Sequence, residues 1–116
     1  MPPTLRQQND RIILEFISAD PPQDATEIIG AALSPGAAVV VLPVSLLDPN
    51  FFHLRTGVAR EMLQKFVYYG VKLAILGDVS DYTGASSALR DFIYESNRGE
   101  TICFVADRHE LEQRLG

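Results

Sequence analysis

The chain has 116 residues, 47% of them hydrophobic and 22% charged, which supplies one core of ordinary density and excludes disorder and collagen-like repeats. Its 10 Lys and Arg against 15 Asp and Glu leave a formal net charge of −5. That sign opposes attraction to phosphate backbones and anionic lipid, so neither nucleic acid nor a membrane surface is an expected partner.

The first residues lack the basic start and apolar run of a secretory signal. Thr4 to Gln8 and Arg11 to Ile17 are extended candidates joined by Asn9-Asp10, a dipeptide suited to a tight hairpin turn. Pro21-Pro22 breaks the second strand, and Asp24 with Glu27 has capping-box spacing ahead of Ile28, Ile29, Ala32 and Leu33, which predicts a helix over 24–33. Ser34-Pro35-Gly36 ends it. Ala37 to Leu42 is an uninterrupted apolar run, the pattern of a central strand covered on both faces. The whole apolar stretch, 37–47, is about half of the roughly 20 residues that cross a bilayer.

From Pro43 to Thr56 the sequence predicts a loop whose Leu46, Leu47, Phe51, Phe52 and Leu54 fold back on the core. A second helix starts at Gly57, with Val58, Ala59, Met62, Leu63, Phe66 and Val67 on one face, and stops at Gly70. Val71 to Leu76 is the next strand. A polar loop then runs from Gly77 to Ser86-Ser87, either of which caps a third helix buried through Leu89, Phe92 and Ile93. Thr101 to Ala106 makes the last strand, in which Cys103 packs as a small hydrophobe; a single cysteine forms no internal disulfide and suits a reducing cytoplasm. Asp107 and Glu110 repeat the capping spacing before a fourth helix containing Leu111 and Leu115. Such alternation implies right-handed crossovers. The expected fold is therefore one α/β domain over 1–116, with a mostly parallel sheet of about five strands, an N-terminal hairpin and four helices.

Two segments, 51–66 (FFHLRTGVAREMLQKF) and 89–99 (LRDFIYESNRG), with KLAILGD at 72–78 between them, resemble the bacterial domain-of-unknown-function family 4180. Tyr68 departs from that family's pattern, which has Asn before Tyr69. The likeness implies bacterial relatives and assigns no chemistry. The element order is also similar to the STAS domain of anti-sigma-factor antagonists and sulfate-transporter tails. In those antagonists an Asp-Ser-Ser-Gly-like loop is phosphorylated on serine to switch partner binding. The matching stretch here, 47–51, keeps Asp48 and has no serine.

In a parallel sheet the loops leaving the strands' carboxyl ends share one rim, the usual place for a ligand. That rim gathers Asp48, His53, Arg55, Thr56, Asp78, Ser80, Asp81, Thr83, Ser86 and Ser87. Hydroxyls and carboxylates in front of helices also serve simply as caps. His53 with Asp48, beside Ser86 or Thr56, has the residue types of a general base and its nucleophile, without the G-x-S-x-G elbow. Thr56-Gly57 and Ser86-Ser87 open helices whose positive ends suit a small anion near Arg55. His109 falls on the polar side of the last helix. One cysteine and two separated histidines offer no metal spacing, so no metal and no cofactor are expected.

Arg60, Glu61, Gln64 and Lys65, with Tyr68 and Tyr69, make a stripe of partner-binding composition; it reads equally as a solvated face with a Glu61–Lys65 pair. Arg90, Asp91, Glu95, Asn97 and Arg98 form a second charged cluster that buttresses the fold. The first functional expectation is a non-enzymatic, STAS-like regulatory module that docks a protein partner or a copy of itself. The second is a small-ligand or anion sensor, or a minor hydrolase, around His53 and Ser86.

Overall fold

A computed structural model of the protein describes residues 3–17 and 24–115; the predicted break at Pro21-Pro22 lies outside them. In chain order the elements are β1 (Thr4–Gln8), β2 (Arg11–Glu15), α1 (Ala25–Leu33), β3 (Val39–Pro43), α2 (Val58–Tyr69), β4 (Lys72–Leu76), α3 (Ser80–Ala85), α4 (Ser87–Arg98), β5 (Ile102–Val105) and α5 (Arg108–Leu115). Two 3₁₀ turns, Val44–Leu46 and Leu54–Thr56, shape the loop between β3 and α2. Local chemistry sets the boundaries. Asn9 and Asp10 both take positive φ, 51° and 64°, as a two-residue hairpin with right-handed strand twist requires. Asp24 accepts from the Glu27 N–H at 2.8 Å while the Glu27 carboxylate reaches back to the Asp24 N–H at 3.4 Å, closing the expected capping box.

The five strands lie in the order β1-β2-β3-β4-β5, with β1 antiparallel to β2 and the rest parallel. Each crossover steps to the next strand in the same direction, so right-handed connections place α1, α2 and α4 on one face. Packing agrees. Leu14, Val40, Leu42, Leu73, Ile75 and Phe104 meet Ile28, Ile29, Leu63, Phe66 and Leu89 in the larger core. On the other face Ile13, Val39, Val41, Ala74, Cys103 and Val105 meet Leu111 and Leu115 of α5. Coverage on both faces explains why β3 and positions 73–76 of β4 are continuous apolar runs.

Two features depart from expectation. The described residues hold five α-helices rather than four, because part of the polar loop after β4 coils into α3. Tyr82 of α3 stacks on Phe52 with ring centroids 4.2 Å apart and planes 12° apart, which anchors a turn too short to be stable in isolation. β1 has its predicted bounds, and the other four strands are shorter than predicted, β2 ending at Glu15 and β3 beginning at Val39. The loop before α2 behaves as expected: Phe51 and Phe52 are buried, edge-on to each other at 5.0 Å, and Phe51 reaches Phe104 at 6.2 Å.

Candidate functional site: two clefts on either side of α2

The strands' carboxyl ends carry the rim residues, and most of the polar ones bind backbone. Asp48 accepts from the Asn50 N–H at 2.8 Å, and Asp78 accepts from the Ser80 N–H at 2.8 Å. Hydrogen bonds from the Ser80 backbone and side chain hold the Asp78 carboxyl below its ordinary pKa. Ser86 accepts from the Leu89 N–H at 3.1 Å as the N-cap of α4. The Thr56 hydroxyl donates to the carbonyls of His53 (2.8 Å) and Asn50 (3.0 Å), and Thr83 donates to those of Val79 and Ser80. His53, Arg55, Ser80, Asp81 and Ser87 are exposed. No hydrogen bond joins the His53 side chain to Asp48, Thr56 or Ser86, whose own bonds run to backbone.

Two concave surfaces lie elsewhere, flanking α2. Among the described residues, the first cleft, about 730 Å³, is bounded by the start of α1, the loop after β3 and one side of α2. Leu42, Leu46, Leu47, Val58 and Met62 form its apolar wall; Asp24, Glu27, Asp48, Glu61 and Lys65 stand around it. The second, about 410 Å³, runs between α2 and α4 to the beginning of β5, lined by Arg60, Leu63, Gln64, Val67, Phe92 and Glu95 among others. Helical geometry explains the division. Positions 58, 61, 62 and 65 lie on one flank at i, i+3, i+4, i+7, and 60, 63, 64 and 67 lie on the other with the same spacing.

The predicted stripe is therefore split. Arg60 and Gln64 face the α4 side, Glu61 and Lys65 face the α1 side, and Tyr68 projects between them with 81% of its surface exposed. No ion pair joins Glu61 to Lys65, although their spacing permits one. Of the predicted rim residues only Asp48 reaches either cleft. The cluster on α4 buttresses in part: the Asn97 side chain accepts from the Phe104 N–H at 2.6 Å, and Arg98 lies 3.7 Å from Glu95 and over the Tyr94 ring.

Sequence reasoning missed Glu15, a buried carboxylate on the α5 face bound by Arg108 and lying 3.4 Å from Arg6, with Glu112 beside both cations. Its only sequence signal is a charge at an inward position of a strand. A smaller pocket of about 270 Å³ at the strands' amino ends brings Arg11, Lys72 and Arg114 around Cys103. Burial pushes the Cys103 thiol pKa up, and Arg114 and Lys72 oppose that shift. Arg11 and Arg114 donate to the backbone carbonyls of Leu115 and Gly99, tying α5 to the sheet and to the end of α4.

Among the described residues no group of three or more His, Cys, Asp and Glu is placed to hold a metal ion, and no helix is long and apolar enough to cross a membrane. No curated protein and no solved structure matches the chain. One family model, described as Domain of unknown function (DUF4180), matches residues 8–115 and thus includes every element from β2 to α5 together with both clefts. The chain belongs to the DUF4180 family.

Proposed function

We propose that residues 1–116 form one STAS-like, cytoplasmic regulatory domain that works by association with a second copy of itself through the α2–α4 face. The element order, a hairpin followed by alternating helices and strands with a short last helix, supports the STAS-like reading. One observation carries the docking surface: Val67 of α2, 56% exposed, lines the second cleft beside the nearly bare Tyr68. Aromatic side chains with arginine are the composition of interface hot spots. Arg60 and Glu95 line the same cleft, and among the described residues Arg60 makes no ion pair. A two-fold axis through the cleft sets each Arg60 against the other copy's Glu95, an arrangement in which one patch complements itself. The sensor or hydrolase reading around His53 and Ser86 has less support, because the Ser86 oxygen caps α4.

Light scattering after size exclusion tests the proposal. The expected result is a dimer that Arg60→Glu or Glu95→Arg dissociates and that the double charge swap restores. A single-chain mass at every concentration, or a dimer indifferent to Arg60→Glu, refutes it.

A further inference from the structure

We infer that the first cleft, on the opposite flank of α2 from the proposed dimer face, binds a small organic cation: an aliphatic primary ammonium whose stem lies on the apolar wall. Its volume, about 730 Å³, falls within the range of small-molecule sites. Leu42 and Leu47 are buried at its base, and the half-buried Val58 and Met62 of α2 face them across it. An alkyl chain laid there leaves water at roughly 0.8 kcal/mol per methylene, which favours an apolar stem over a compact ion.

Charge selects the head group. Asp24, Glu27, Asp48 and Glu61 present four carboxylates against the single ammonium of Lys65. They arrive from three separate parts of the fold, the start of α1, the loop after β3 and α2, so the negative field converges on the cleft rather than running along one helix. Among the described residues Asp24 and Asp48 each bind a backbone N–H through one oxygen, which fixes the carboxylate and leaves the second oxygen for a ligand. Among the described residues Glu61 makes no ion pair. A carboxylate or phosphate ligand meets repulsion from the same set.

Methionine supplies the reporter. The chain has 2 methionines, Met1 and Met62, so carbon-13 labelling of the methyl groups gives two signals, and a Met62→Leu variant assigns them. Titration with hexylamine, hexan-1-ol and hexanoate, which share one stem, separates charge from apolar contact. Hexylamine is expected to shift the Met62 methyl saturably, with hexan-1-ol weaker and hexanoate weakest. Glu61→Gln and Asp48→Asn are each expected to weaken hexylamine roughly three- to fivefold, the scale of a partly solvated ion pair. Glu110→Gln on α5, far from the cleft in the fold, is the control and leaves binding unchanged. An unmoved Met62 methyl, equal shifts from hexanoate, or Glu61→Gln, checked as folded by its dispersed spectrum, binding like the parent overturns the inference. None of these outcomes bears on the dimer, which is read from molecular mass.

Discussion

Replacing Gly77 by alanine tests how the end of β4 positions the loop that walls the first cleft. Gly77 has φ of +148°, and its N–H donates to the Val105 carbonyl at 2.9 Å, so the backbone there is held and cannot easily rotate away. A Cβ at this position stands 2.8 Å from Val44 Cγ2 and 3.0 Å from Val44 Cβ, against an ordinary carbon contact of about 3.5–4.0 Å. Two effects add: a positive φ on a residue with a side chain, roughly 1–3 kcal/mol, and overpacking, roughly 1–3 kcal/mol. The expected loss is about 2–6 kcal/mol, a large part of the roughly 5–15 kcal/mol that holds a domain together.

Urea unfolding followed by circular dichroism measures that loss, with an unchanged slope as evidence that the folded state is intact. Repeating Gly77→Ala in a Val44→Ala background removes the Cγ2 contact and leaves the backbone strain and the 3.0 Å contact with the residue-44 Cβ. The two changes should therefore couple favourably, by about 1 kcal/mol or more. A Gly77→Ala midpoint equal to that of the parent, or identical losses with and without Val44, would refute the reasoning.

Three further outcomes are expected. Ser86→Ala removes the cap of α4 and should lower stability by about 1 kcal/mol in the same urea assay; an unaltered midpoint means the Leu89 N–H finds another acceptor. Asp78 has a depressed pKa in the fold, so its contribution to stability is complete above the unfolded value and disappears as pH falls through the folded one. Acid unfolding of Asp78→Ala should consequently show a flatter limb below about pH 4, and superimposable limbs would count against the Ser80 hydrogen bonds. Cys103, nearly buried with its thiol pKa raised, should react with a disulfide reagent at neutral pH much more slowly in the folded protein than in the unfolded chain. Labelling of the native protein as fast as in urea contradicts that burial.

Features controlled by neighbours in the chain are legible in the sequence alone. The Asp24 and Glu27 cap, the Asn9-Asp10 turn, the stop at Gly70 and the inward turn of Phe51 and Phe52 each follow from a spacing of a few residues or from local apolar density. Features that depend on distant segments are not. Tyr82 forms a helix because Phe52, far back in the sequence, offers a ring to stack on, and Glu15 is held by Arg108, 93 residues away. The stripe on α2 looked like one surface because a helix read alone has no flanks. With α1 along one side and α4 along the other, it is divided between two clefts of different chemistry. Composition and periodicity dictate which faces must be buried, whereas strand order dictates which buried faces become neighbours. Pairs far apart in sequence have no local energetic signature, so the convergence of Asp24, Glu27, Asp48 and Glu61 emerges only when the sheet brings their elements together.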